Sequence, residues 1–225
     1  MRVYFISGLG ADERVFQFLD LPGVEKVFVR WLPPEPHEPL AAYCARLLPQ
    51  LDRSREINLV GISFGGIVAQ EIARLVPCRR VVLLSSIKGP WEMDWKLRLV
   101  ARAGFYRPVP AAWLQWSNLL TANYYFGVET RAEAALLRQI ILDTDPEFSR
   151  WAIAEIMTWA GPPAGLSVAH LHGGRDRIFP AGPVRGAVLV PDGGHFMVVS
   201  RAAAVSAFIQ LEMSRAAAAF GQTGG

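Results

Sequence analysis

Apolar positions along the chain alternate between two rhythms. Short runs at Arg2–Ile6, Lys26–Leu32, Ile57–Val60, Val81–Leu84, Leu166–Leu171 and Gly186–Val190 have the length and β-branched content of strands. Between them the spacing turns helical. Leu40, Tyr43, Cys44, Leu47, Leu48 and Leu51 fall on one helical face, which Pro49 should kink or end. Asp12 is a candidate N-cap for a helix carrying Val15, Phe16 and Leu19, broken at Leu21-Pro22-Gly23. A further helix runs from Ile67 to Val76 and stops at Pro77. Its pattern points Val68, Ile72, Leu75 and Val76 inward and Gln70, Glu71 and Arg74 outward. A last helix begins near Arg201 with Val205, Phe208 and Ile209 inward, and the tail from Ala216 onward is expected to fray. Val81-Val82-Leu83-Leu84 has no polar alternation, as expected of a parallel strand covered on both faces. Strands separated by single helices give an α/β fold around a mostly parallel sheet.

The rhythm changes at Lys88. From 88 to 163 only helical segments are visible, so the chain divides into a core of residues 1–87 and 164–225 and a helical insertion of 88–163. Thr130-Arg131-Ala132-Glu133 reads as a capping box. Asp145-Pro146 supplies an N-cap and a first-turn proline to a helix with Phe148, Trp151, Ala152, Ile156 and Trp159. Six of the seven tryptophans lie between Trp91 and Trp159, together with Tyr106, Tyr124, Tyr125 and Phe126. The insertion is therefore expected to lie over the sheet as an aromatic cap.

Composition narrows the classes. At 225 residues and 52% hydrophobic content the chain can bury a core and is not disordered. The net charge of +3 is spread along the chain, without the dense basic face that nucleic acid requires. No apolar run approaches the roughly 18–20 residues of a membrane span. Val3–Ile6 is too short for a signal core, so a cytoplasmic location is expected. Two cysteines make no disulfide framework, and Cys44, on the apolar helix face, reads as a core residue.

The candidate chemistry centres on Val60-Gly61-Ile62-Ser63-Phe64-Gly65-Gly66, placed between a strand and a helix. A bare GxSxG arises by chance in roughly a tenth of chains this long, so context decides its weight. Glycines two residues either side of a serine let backbone pass close while the serine is held in a strained turn at the sheet edge. A serine hydroxyl needs a base, and the base needs an orienting carboxylate. Asp176 and His195 follow in that order, each in a loop after an expected strand. Because parallel strands end at one edge, the loops carrying Ser63, Asp176 and His195 should converge.

These pieces resemble the α/β-hydrolase fold over nearly the whole chain: the strand leading to Ser7-Gly8-Leu9-Gly10, the serine turn, His172-Gly173-Gly174-Arg175-Asp176, and Gly194-His195. The resemblance implies Ser63 as nucleophile, His195 as general base and acid, and Asp176 as its orienter. It implies an oxyanion hole from the backbone N–H groups of Leu9 and Phe64. The chain departs from the family in three ways. The usual first two strands are missing, leaving about six. Ser7 stands where the family usually has histidine. Only 18 residues separate Asp176 from His195, with Pro180, Pro183 and Pro191 among them, so the helix normally found there should be a loop.

Other residues compete for roles. Glu92 and Asp94, after the Val81–Leu84 strand, are rival acids; Asp192 lies too close in sequence to His195 to be favoured. His170 and His172 share a strand face but have no third metal ligand at suitable spacing, which favours a structural role. Lys88, Trp91 and Trp159 are the candidate substrate contacts, Lys88 toward an anionic group, although a solvated lysine and packed tryptophans fit as well. The expected activity is hydrolysis of a carboxylic ester of a small to medium apolar molecule through an acyl-enzyme, with no metal or organic cofactor. Serine at the turn argues against the dehalogenase and epoxide-hydrolase branches, which use aspartate there. Thioester, amide and C–C hydrolysis, acyl transfer or lyase chemistry, and ligand binding without turnover remain alternatives. Nothing in the pattern demands a second copy of the chain.

Overall fold

A computed structural model describes residues 1–104 and 110–221. The expected Tyr106 and the tail residues 222–225 lie outside this range. Six strands form one sheet: β1 (Arg2–Ile6), β2 (Glu25–Val29), β3 (Ile57–Ile62), β4 (Cys78–Leu84), β5 (Ala169–Gly173) and β6 (Val188–Val190). All neighbours are parallel, in the order β2-β1-β3-β4-β5-β6. Their C-terminal ends therefore share an edge, and the order reverses between β1 and β3. Crevices form at such switch points because the following loops depart in opposite directions.

The unbroken apolar runs are explained by burial on both faces. Tyr4, Ile6, Leu59, Val81 and Leu83 join the core beneath α1 (Leu40–Leu47) and α2 (Phe64–Leu75). Their neighbours Val3, Phe5, Val60, Val82 and Leu84 join the opposite core, with Val205, Ile209 and Met213 of the C-terminal helix α8 (Ala202–Gly221). Period-two alternation thus splits one run between two cores. A four-residue helix, α7 (Met197–Ser200), precedes α8.

Between β4 and β5 come α3 (Trp95–Ala103), α4 (Ala111–Phe126), α5 (Arg131–Asp143) and α6 (Pro146–Thr158). Thr130 accepts from the Glu133 N–H and Asp145 from the Glu147 N–H, so both anticipated caps form. Among the described residues no helix is long and apolar enough to cross a membrane.

Several local expectations are corrected. The Asp12 segment is a single 3-10 turn, Glu13–Phe16, although Asp12 does cap it and Val15, Phe16 and Leu19 are buried. β2 ends at Val29 rather than Leu32, and β5 starts at Ala169 rather than Leu166. Gln70 and Glu71 face inward and Leu75 is exposed, because α2 is buried from Phe64 to Ile72 and its polar groups find partners inside. Gln70 Nε2 donates to the carbonyls of Gly66 and Ile87. Glu71 accepts from Trp159 Nε1 at 2.9 Å and pairs with Arg74. Residues 216–221 continue α8 instead of fraying. The stretch between Asp176 and β6 contains no helix, as its prolines implied.

Candidate active site

Ser63 sits at the N-cap of α2 with φ 52° and ψ −119°, a conformation that L-residues avoid at a cost of about 1–3 kcal/mol. The surroundings hold it there. A Cβ on Gly61 would strike the Gly65 carbonyl, and one on Gly65 would strike the carbonyls of Ile6 and Ser7. Gly66 lies against the Ser86 side chain, whose hydroxyl donates to the Ser63 carbonyl at 2.7 Å. Ser63 N–H in turn donates to Leu84 O at 2.9 Å. The turn is thus fixed from β1 on one side and from the end of β4 on the other.

His195 Nε2 lies 2.9 Å from Ser63 Oγ, and its Nδ1 lies 2.7 Å from Asp176 Oδ2. An ionised carboxylate only accepts, so Nδ1 carries the proton and Nε2 is left to accept from the serine hydroxyl. Asp176 Oδ1 accepts from the backbone N–H groups of Ile178 and Phe179 at 2.8 and 2.9 Å. Both His195 and Asp176 are buried. The imidazole stands edge-on to Phe126 and Phe179, with ring centroids 5.3 and 5.8 Å away. Gly174 N–H to Val190 O and Arg175 N–H to Gly193 O stitch the acid and histidine loops together.

The loop after β1 crosses beside Ser63, where a Cβ added at Gly8 would come into van der Waals contact with the serine Cβ at 3.5 Å. Ser7, buried, donates its hydroxyl to Ala11 O at 2.5 Å, and Trp31 Nε1 donates to the same carbonyl at 2.9 Å. A serine thus closes the loop where the family usually has histidine. Thr144, after α5, lies 2.6 Å from Gly10 O and from Ile140 O, so one hydroxyl is shared between the end of α5 and this loop. Leu9 N–H makes no hydrogen bond among the described residues. Phe64 N–H belongs to the first turn of α2, where no intrahelical acceptor exists.

A cavity of about 250 Å³ opens at Ser63 and His195. Its walls come from the loop after β1 (Leu9), from the helices between β4 and β5, including Leu97, Asn118, Ile140, Ile153 and Met157, and from residues near Asp176 and His195 such as Phe179 and Phe196. The volume falls below the roughly 300–1,000 Å³ of drug-sized sites. Among the described residues, His195 is the one lining residue with an ionisable side chain.

The three residues proposed for substrate contact lie elsewhere. Lys88 Nζ pairs with buried Glu92 at 3.5 Å and with the Arg185 carbonyl. Trp91 is exposed beside Gly89 and Gly161, and Trp159 is bound to Glu71. The rival acids are also occupied. Glu92 accepts from the backbone N–H groups of Lys88 and Arg185, Asp94 caps α3, and Asp192 pairs with Arg201 on the surface. Asp12 caps its turn and holds Arg14. His172 Nδ1 lies 3.3 Å from His170 Nε2, and His172 Nε2 lies 2.7 Å from Phe179 O. Among the described residues no third metal ligand joins them. Burial pushes the His170 imidazole down to about 3 and the His172 imidazole in the same direction. Burial also pushes the Cys44 thiol up, and the Cys78 thiol up to about 12, so neither competes as a nucleophile.

Ser86, Thr144 and Trp31 carried no motif. Trp31 and Ser86 do lie just past the C-terminal ends of β2 and β4, the one positional signal that could have marked them.

The chain belongs to the alpha/beta hydrolase family, whose profile matches residues 3–208. Similar solved structures include an esterase from Exiguobacterium antarcticum, at TM-score 0.71 and 14% identity over 96% of this chain and 91% of that one. A hydrolase from Pseudomonas aeruginosa gives 0.68 and 17% over 94% and 89%. A thermophilic esterase from Thermogutta terrifontis gives 0.63 and 18% over 96% and 90%. At these identities the likeness is one of fold. No curated protein sequence matches the chain.

Proposed function

We propose that the protein is a serine hydrolase that cleaves a carboxylic ester of a small to medium apolar substrate, with residues 88–163 as a cap over the site. The observation that carries this reading is the hydrogen-bonded series Ser63–His195–Asp176 opening onto a cavity that, among the described residues, is lined by no Asp, Glu, Lys or Arg. Ser63 Oγ attacks the ester carbonyl carbon as His195 Nε2 takes its proton, and Asp176 stabilises the imidazolium that results. The N–H groups of Leu9 and Phe64 receive the developing oxyanion. The leaving alkoxide departs with the proton from His195. Water, activated by the same imidazole, then attacks the acyl-serine and regenerates the hydroxyl. Apolar walls exclude bulk water and strengthen each of these electrostatic contacts.

Hydrolysis of p-nitrophenyl esters of increasing acyl length tests the reading. Wild type should turn over short to medium chains, and Ser63→Ala should lose on the order of 10⁶-fold in kcat. Equal inactivity of both proteins across the series would overturn it. Activity surviving in the variant would move the nucleophile elsewhere.

A further inference from the structure

The inserted helices expose their largest side chains. Trp95 and Leu99 on α3, and Trp113, Trp116, Leu120 and Tyr124 on α4, are all more than half accessible. At about 100° per residue, the four on α4 form a single stripe along one side of the helix. The opposite side holds buried Ala122 and the cavity-lining Asn118 and Phe126. The same division recurs on α3, where Leu97 lines the cavity between outward Trp95 and Leu99. Two helices that both pack on α6 thus carry cavity wall inside and aromatic surface outside.

Charge selects the occupant. α4 contains no charged residue across its sixteen positions. α3 carries exposed Lys96, Arg98 and Arg102 and no acid; the adjacent Asp94 is committed as its N-cap. Arg177 stacks over the Tyr124 ring at 4.2 Å, adding a cation at the far end of α4. A two-fold pairing of copies through this face would set like charges against one another. Indole and phenol rings beside lysine and arginine suit the boundary between anionic headgroups and acyl chains.

We propose that the outer face of α3 and α4 docks on the surface of an anionic lipid bilayer. Docking holds the roof of the apolar cavity against the phase in which apolar esters concentrate. This consequence rests on the hydrolase reading, whereas the binding does not.

Flotation of the full chain with vesicles tests the docking without any turnover. Wild type should float with phosphatidylcholine vesicles containing phosphatidylglycerol, less with phosphatidylcholine alone, and less again in high salt. The variant Lys96→Gln/Arg98→Gln/Arg102→Gln should bind on the order of 100-fold more weakly, at about five-fold per cation. Trp113→Gln/Trp116→Gln should lose at least about ten-fold. Circular dichroism and Tm confirm that each variant is folded; if either is not, Trp116→Gln and Arg98→Gln alone carry the test. Absence of flotation by wild type overturns the proposal, as does flotation insensitive to phosphatidylglycerol and to these substitutions. A dimer in sedimentation equilibrium that Trp113→Gln/Trp116→Gln dissolves, without lipid binding, would assign the face to a second copy instead. Loss of ester hydrolysis in the p-nitrophenyl series with flotation intact would reject the hydrolase reading alone.

Discussion

The Thr144 hydroxyl reaches the Gly10 carbonyl at 2.6 Å, tying the end of α5 to the loop that crosses beside Ser63. Gly10 has φ 68°, and a Cβ there would collide with the Thr144 side chain. The contact therefore sets the position of Leu9 N–H from outside the core. Thr144→Val keeps the shape and removes the donor. Ester turnover should fall by roughly five-fold or more, the equivalent of about 1 kcal/mol, and chiefly in kcat. Measuring kcat and KM separately checks this, since a general loosening of the insertion would raise KM instead.

Asp176→Asn should lower kcat on the order of 10⁴-fold by inverting the tautomer of His195. Glu92→Gln should leave hydrolysis nearly unchanged, because its contacts tie backbone at Lys88 and Arg185 rather than the imidazole. Steady-state kinetics of the two variants side by side decide which carboxylate serves the histidine. A larger loss in Glu92→Gln would transfer the role to the segment after β4.

The difference between these carboxylates shows where sequence suffices. β3 and β4 are legible because burial on both faces demands unbroken apolar runs, and Ser63, Asp176 and His195 because parallel strands deliver their loops to one edge. Gln70 and Glu71 misled, since helical periodicity assigns polar residues outward unless a partner waits inside. Those partners, Ile87 O and Trp159 Nε1, are 17 and 88 residues away in sequence. Trp159 misled for the same reason: a large aromatic predicts burial, not the neighbour it is buried against. Much of the cavity wall comes from aliphatic residues of α5 and α6 that carry no chemical signature of their own.

Ser86 has no motif, yet its hydroxyl supports the strained peptide after Ser63. Ser86→Ala removes that donor and leaves the Ser63 carbonyl, among the described residues, with the Gly66 N–H alone. Unfolding should become easier by about 0.5–1.5 kcal/mol, with a fall in kcat exceeding any change in KM. Urea denaturation together with single-turnover kinetics reads both effects.

His170 and His172 make acid stability a further test. Their folded-state pKa values lie below the usual value near 6.5, so the unfolded chain binds more protons. The contribution of His170 is complete above about pH 7 and is lost as pH falls from there toward about 3, at up to about 1.4 kcal/mol per pH unit, and that of His172 has the same sign. Lys88, Asp176, His195 and Glu92 surround the pair. Comparison of wild type with His170→Leu isolates the imidazole from the carboxylates. The urea midpoint of the variant should decline less steeply between about pH 7 and about pH 4. Parallel slopes would mean that His170 is already charged in the folded protein.

The glycines at 61, 65 and 66 govern how such a chain can drift over generations. At each, one added methyl meets main chain or the Ser86 side chain, so most replacements there fail at folding before any chemistry is tested. The outward stripes of α3 and α4 meet no comparable barrier, and the aliphatic wall of α5 and α6 can trade one methyl for another. Lineages descending from this chain would therefore diverge fastest around the cavity while the turn that holds Ser63 stands still. A new specificity is a matter of refitting the walls.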